Sequence, residues 1–417
     1  MEQPYSSKGL SSTVRALGLV SLFTDLASKM VYPVTPIFLT TVLGAPAWTV
    51  GVVEGIAEST ASILKLYSGW LSDRVGQRKP FAVMGYGLGA VAKLVLAIAG
   101  VWGHVLGARF LDRVGKGLRA APRDALIAEN CSPQQRGRAF GLHHSLETIG
   151  EVVGPLVGFA FLLRFTDNYR GVFAIAFLPA VVGVLVLIIL VREPQREGER
   201  ERGDGEDVEI RYIASPPDRR VGKSATQKRS RPQFAFQGLS PVYRRYLLVV
   251  GLFSLGNSSD AFLLLRAQDL GFGGDQVLLL YAVFNLVEVL LGYAVGNLSD
   301  RVGRRPLLAS GYLVFAGVYL GFAIAWGATA VWVLFGFYGL YSTLTRGVQK
   351  AFVADLVHPQ RRGAEIGTFY MVVGLAALPA SLIAGWLYAQ VSVSAPFYVS
   401  AVTAVLAAVL LVRVRPA

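Results

Sequence analysis

Residues 109–124, RFLDRVGKGLRAAPRD, hold seven formal charges in sixteen positions: Arg109, Asp112, Arg113, Lys116, Arg119, Arg123 and Asp124. Wound as an α-helix at about 100° per residue, they fall within about 140° of arc. One such stripe can pair with carboxylates, meet an anion, or tune proton exchange on neighbouring acids. Acids at helical spacing occur nearby in the chain. Glu54 and Glu58 are four apart, with Lys65 close to the same face, and Asp25 and Lys29 lie one turn apart. His144, Glu147 and Glu151 follow an i, i+3, i+7 pattern. The second half of the chain has fewer counterparts: Asp260, Arg266, Glu288, Arg346 and Lys350.

These residues do not assemble an enzyme's toolkit. Cys131 stands alone, no serine–histidine arrangement is apparent, and His143 and His144 read as packed or paired side chains. The glycines flanking Lys116 lack a Walker pattern, which argues against a nucleotide. Four histidines without a His-rich tract argue against a dedicated soft-metal site. The expectation is no cofactor and no resident metal. One cysteine also excludes an intrachain disulfide.

The elements that must carry these charges are apolar. The chain has 417 residues, 53% hydrophobic and 16% charged, where a soluble domain is nearer a quarter charged. Uncharged runs such as 173–191 and 393–412 approach twenty residues, enough to cross a hydrocarbon core of about 30 Å. Twelve spans are expected: 15–41, 48–71, 80–101, 105–130, 137–164, 171–191, 243–269, 274–298, 306–326, 329–356, 362–391 and 394–412. The fourth, which holds the charged stripe, is placed by position rather than by hydropathy. An ionised residue at the centre of a span costs about 2.5–3.5 kcal/mol even on the lenient insertion scale, so the stripe must face a wet cavity or acidic partners, not lipid.

The net charge of +13 falls mostly in short loops, so a membrane reading displaces nucleic acid as the explanation. Arg74, Arg78 and Lys79, Arg136 and Arg138, Arg301, Arg304 and Arg305, and Arg361 and Arg362 follow spans 2, 4, 8 and 10. Opposite loops are nearly free of Lys and Arg, which puts both termini in the cytoplasm. The first residues do not read as a cleavable signal, because Asp25 and Lys29 interrupt the apolar segment after them. Residues 192–242 mix both signs and are poor in apolar residues, which reads as a flexible charged cytoplasmic linker. It divides the chain into bundles at 1–191 and 243–417.

The two parts repeat. GWLSDRVGQR at 69–78 returns as GNLSDRVGRR 227 residues later, and SPQQRGRAFG at 132–141 returns as HPQRRGAEIG 226 residues later. At these loops the chain resembles the major facilitator superfamily, whose signature after span 2 places Asp-Arg and Gly with basic residues. Gly69, Asp73, Arg74, Gly76 and Arg78 fill the first copy; Gly296, Asp300, Arg301, Gly303, Arg304 and Arg305 fill the second. The resemblance implies an all-α integral membrane fold of two pseudo-symmetric six-helix bundles, with these loops as a conformational switch. It also covers GEVVGPLVGF, where Gly150, Gly154, Pro155 and Gly158 match the superfamily's exporter motif and Phe159 replaces a usual glycine. Small residues at that spacing let helices approach closely, and a proline adds a kink. Arg109 occupies the place of the span 4 arginine associated with proton coupling, whereas Asp112 and Arg113 replace the usual uncharged pair.

The expected function is secondary active transport of a small solute across the cell inner membrane by a monomer, resembling drug/proton antiporters and directed outward. Proton-linked import, and more remotely metal-ion export, remain open alternatives. Asp25, Glu54, Glu58, Glu147 and Glu151 are the proton-carrying candidates. Each could instead serve only to bridge helices. The basic stripe favours a solute with an anionic group unless local carboxylates neutralise it. The expected partners are the solute, protons and the lipid bilayer.

Overall fold

The computed structural model describes residues 10–75, 77–132, 135–193, 239–325, 327–357 and 362–414, without the side chains of 66, 69, 70, 73, 354 and 362–364. Residues 194–238 of the expected linker, Gly76 and the side chain of Asp73 lie outside this description. Twelve long helices and no strand make up the described chain: α1 Ser12–Val31, α2 Trp48–Val75, α3 Lys79–Ala97, α4 Trp102–Glu129, α5 Arg136–Arg164, α6 Tyr169–Leu190, α7 Pro241–Asp269, α8 Gly274–Val302, α9 Arg304–Ile324, α10 Ala328–Leu356, α11 Arg362–Gln390 and α12 Ala395–Arg413.

Nine of these helices are long and apolar enough to cross a membrane. The three that fall short are α1, α2 and α4. They carry Asp25 and Lys29, Glu54, Glu58 and Lys65, and the seven charges of residues 109–124. These charges lower the hydropathy of the three helices.

Two helices depart from the expected spans. The first span runs helically through residue 41 as expected, but the unbroken α-helix ends at Val31, and residues 32–42 continue as a tight turn, a short α-turn at 35–37 and a wide turn. Pro33 and Pro36 lack the amide protons that would continue the α-ladder. The seventh span is broken: Pro241–Gly256 and Ala261–Asp269 are separated by the unwound residues 257–260.

In the N-terminal half, α1 packs on α5 and α6, and α4 packs on α2 and α3. In the C-terminal half, α9 packs on α10 and α12, and α8 on α10. The halves meet through α2 against α11 and α5 against α8. The Ser59 hydroxyl donates to the Gly374 carbonyl at 2.8 Å across the first of these seams.

The α5 glycines set the spacing to α1. A Cβ on Gly150 would lie 2.4 Å from the Leu22 carbonyl oxygen, and one on Gly154 would lie 2.5 Å from that of Leu26. Pro155 follows directly, inside the same helix. At the turn between α8 and α9, Gly303 has φ +93°, which L side chains rarely adopt.

A matched pair of substitutions on α5 isolates the close approach. Gly141 has nothing within 4 Å of its Cβ position, so Gly141→Ala should raise stability slightly, as alanine favours helix over glycine by about 1 kcal/mol. Gly150→Ala should reverse that sign and cost about 1–3 kcal/mol of overpacking. Thermal unfolding of the purified variants reads both; equal shifts would mean that α1 does not constrain this position.

Candidate functional site

The charges of α4 are held by α2, α3 and α5. Arg109 gives a two-pronged pair to Glu54, Nε to Oε1 at 2.9 Å and Nη2 to Oε2 at 2.7 Å. Arg109 is 3% exposed and Glu54 1%, so the pair is removed from solvent. The guanidinium also lies 5.2 Å from the centre of the Tyr32 ring. Arg113 reaches Glu58 at 3.2 Å and Asp112 at 3.8 Å. Asp112 is shared, lying 3.5 Å from Lys93 of α3 and 4.0 Å from Arg109. Lys93 further donates to the Gly89 carbonyl at 3.0 Å.

Nearly three turns further along α4, Arg123 reaches Glu147 of α5 at 3.3 Å and its neighbour Asp124 at 2.9 Å. His144 lies 3.6 Å from Glu147. Beside them the buried Ser21 hydroxyl stands 2.7 Å from His143 Nε2 and 3.4 Å from the Tyr86 hydroxyl. Lys29 of α1 pairs with Glu151 of α5 at 3.0 Å and donates to the Tyr281 hydroxyl of α8 at 3.3 Å, which ties the two halves together.

Three charged groups stay outside this pairing. Lys116 is exposed, with Arg113, Glu58, Asp25 and Lys29 in electrostatic range. Arg119 lies with its guanidinium 4.4 Å from the Tyr86 ring, and its buried Nη1 meets no acceptor among the described residues. Asp25 forms no hydrogen bond or ion pair with a described residue, while Glu147, Glu151, Arg119 and Lys116 surround it at longer range.

The C-terminal half replaces ions with rings. Tyr281, Phe284, Tyr338 and Tyr341 follow one another at centroid distances of 5.3, 5.1 and 5.3 Å. Tyr32 of the first half extends this belt, 5.6 Å from Tyr281. Asp260 accepts a hydrogen bond from Tyr338. Glu288 accepts from Ser342 at 3.0 Å and lies 3.5 Å from Arg346, which is half exposed. Arg266 turns away from this group and donates to the carbonyls of Phe322 and Ala325, at 3.1 and 3.4 Å, satisfying the end of α9. Lys350 is exposed, and Lys65 lies 4.6 Å from the Tyr370 ring of α11.

The two repeated loops anchor in the same way. Arg78 at the start of α3 reaches Glu129 at the end of α4, 2.9 Å away. Arg304 at the start of α9 reaches Asp355 near the end of α10, 2.6 Å away, and lies 3.9 Å from Asp300. Glu129 and Asp355 stand 226 residues apart, the offset of the second repeated loop. Glu193 accepts from the backbone amides of Arg78 and Lys79 and so caps α3.

The family model described as Major Facilitator Superfamily matches residues 17–343 and 246–417. The chain belongs to the major facilitator superfamily. An uncharacterised MFS-type transporter of Methanocaldococcus jannaschii is 32% identical, with 97% of this chain and 96% of that protein covered. The multidrug resistance protein MdtH of an Enterobacter species is 24% identical over 90% of this chain and 88% of that protein. Among solved structures, a bacterial homologue of the human lysosomal transporter Spinster aligns with a TM-score of 0.69 at 17% identity, over 99% of this chain and 96% of that one. This facilitator is therefore a membrane transporter, not an enzyme, and its superfamily moves small solutes.

Several residues that matter to this facilitator were not among the site candidates. Lys93 is almost fully buried against Asp112, and its signal was a lone cation in an otherwise apolar span. Glu129 and Asp355 could have been found by extending the repeat offset from the loops to the helix ends. The aromatic belt had no sequence signal, since its members come from three separate segments.

Removing one member of a buried pair leaves an uncompensated charge, which costs about 3–5 kcal/mol. Glu54→Ala should therefore strongly lower the unfolding temperature, whereas the double variant Glu54→Leu/Arg109→Met should recover most of the loss. A double variant no more stable than the single one would show that the two charges are not each other's main counter-ions.

Proposed function

We propose that this facilitator spans the cell inner membrane twelve times as a monomer and exports a small solute in exchange for protons. In this reading, bundles 1–191 and 243–417 rock about a site between them, and both termini and the charged segment 192–242 lie in the cytoplasm. The paired repeats and the distribution of loop cations support this arrangement. Outward transport is supported by the glycine run of α5 seated on α1. The multidrug resistance relative supports the same direction.

The observation that carries proton coupling is the uncommitted state of Asp25. Glu54, Glu58, Asp112, Glu147 and Glu151 each sit beside a cation of their own. Protonating any of these breaks an ion pair inside the bundle. Asp25 can gain or lose a proton without that cost, and Lys116 and Arg119 stand in range to respond to its charge. A proton on Asp25 releases these cations, and its departure engages them, so solute and proton can alternate. The paired carboxylates then act by fixing α4 against α2, α3 and α5. The Asp73 and Asp300 loops, with Arg74, Arg301 and Arg304, serve as the switch at the termini side.

The test begins with an expression strain screened against a broad panel of toxic solutes. Hits then go into proteoliposomes under an imposed pH gradient. Asp25→Asn should lose gradient-driven flux by at least tenfold while keeping solute exchange. Undiminished ΔpH-driven flux in this variant would overturn the coupling assignment. Accumulation rather than depletion of the solute in expressing cells would overturn the direction.

A further inference from the structure

The break in α7 carries a group of oxygens that the exporter reading does not use. Between Pro241–Gly256 and Ala261–Asp269, residues 257–260 read Asn-Ser-Ser-Asp and leave the helical ladder. The amide of Asn257 donates to Phe253, that of Ala261 to the Ser259 hydroxyl, and that of Phe262 to the Ser259 carbonyl. The carbonyls of residues 254–258 thereby lose their usual donors, and no described residue replaces them. Ser258 is 7% exposed, and its hydroxyl likewise meets no described partner. Unpaired backbone at membrane depth survives only against protein, water or a bound ligand.

The chemistry of the surroundings selects the ligand. Asp260 closes the unwound turn: its carbonyl accepts from the amides of Leu263 and Leu264, and the one described hydrogen-bond donor to its carboxylate is the Tyr338 hydroxyl. The cations nearest to it are each engaged elsewhere: Lys29 with Glu151 at 3.0 Å, and Arg346 with Glu288 at 3.5 Å. The ring belt of Tyr281, Phe284, Tyr338 and Tyr341 passes beside Asp260. Tyr32, which completes the belt, lies 3.3 Å from the Ser259 hydroxyl through its own oxygen. Lys29, Arg109 and Arg346 already lie over the rings of Tyr281, Tyr32 and Phe284, but no described cation caps Tyr338 or Tyr341, so the carboxylate, the carbonyls and these two π faces favour a positive charge. A single carboxylate is too little for a divalent ion, which gathers several. Broken helices in other transporters supply carbonyls to cations in the same manner.

We propose that the unwound turn of α7 and Asp260 form a binding subsite for a monovalent cation, supplied either as Na+ or as an ammonium group on the solute. The subsite lies in the C-terminal half and borders the N-terminal ion pairs, because Arg109 lies over the Tyr32 ring and Lys29 donates to the Tyr281 hydroxyl. Its occupation bridges the halves, because Tyr32 comes from the first and Asp260 from the second. It stands independently of the direction of transport and of proton coupling.

Equilibrium binding to the full-length purified protein tests it without any transport. Thermal unfolding is followed in detergent at constant pH and ionic strength, with N-methyl-D-glucamine chloride replaced stepwise by sodium chloride or by methylammonium chloride. The expected result is a saturable rise of at least 2 °C with one or both ions. A rise with sodium alone assigns the inorganic source, and a rise with methylammonium alone assigns the solute's head group. Asp260→Asn should abolish the rise, while Asp275→Asn, at the start of α8, should keep it. No saturable rise with either ion in the wild-type protein overturns the proposal, even if Asp260→Asn does not fold. An equal rise in a folded Asp260→Asn protein overturns it as well.

Discussion

A helix with seven ionised side chains on one face cannot stand against hydrocarbon, and the N-terminal half of this transporter is arranged around that fact. Each central charge would cost about 2.5–3.5 kcal/mol in lipid. The helix α4 therefore surrounds its charged face with helices that carry the opposite sign. Glu54 and Glu58 come from α2, Lys93 from α3 to hold Asp112, and Glu147 from α5. Their mutual neutralisation fixes the order in which α2, α3, α4 and α5 touch. The hydropathy shortfall of α1, α2 and α4 is the visible trace of the same constraint.

Much of this was legible in the sequence. The helices agree with the apolar runs because span length is set by the bilayer, and the charged run at 109–124 lies in one helix as its angular spread requires. The repeated loops revealed the duplication, and the structure extends it to the pairs Arg78–Glu129 and Arg304–Asp355. Pairing itself was not legible. Helical spacing shows that Glu54 and Glu58 share a face, but not that the first takes Arg109 and the second Arg113. That choice depends on the crossing of α2 and α4, a tertiary quantity. The break in α7 was equally silent, because Asn-Ser-Ser-Asp is short and its flanks are apolar.

The basic stripe pointed toward an anionic solute unless neighbouring acids neutralised it. The pairings remove most of that argument. Arg109, Arg113 and Arg123 each have a carboxylate within 3.3 Å, which leaves Lys116 and Arg119 as the cations of α4 without one among the described residues. The balance of the site shifts accordingly. The first half presents a nearly neutral mosaic, and the second presents rings, hydroxyls and the carboxylate of Asp260.

This division has a consequence for how such a protein can diverge. In the ionic half, Glu54–Arg109, Glu58–Arg113, Asp112–Lys93, Glu147–Arg123 and Glu151–Lys29 are reciprocal, so a single exchange in one of these pairs strands a charge and two simultaneous changes are needed to move on. In the aromatic half, exchanges among Tyr, Phe and similar residues alter shape and hydroxyl placement while keeping the packing. Mutational freedom is therefore lopsided. Descendants of this chain can retune what they carry by drifting along Tyr281, Phe284, Tyr338 and Tyr341, while the opposite wall stays locked by its own electroneutrality.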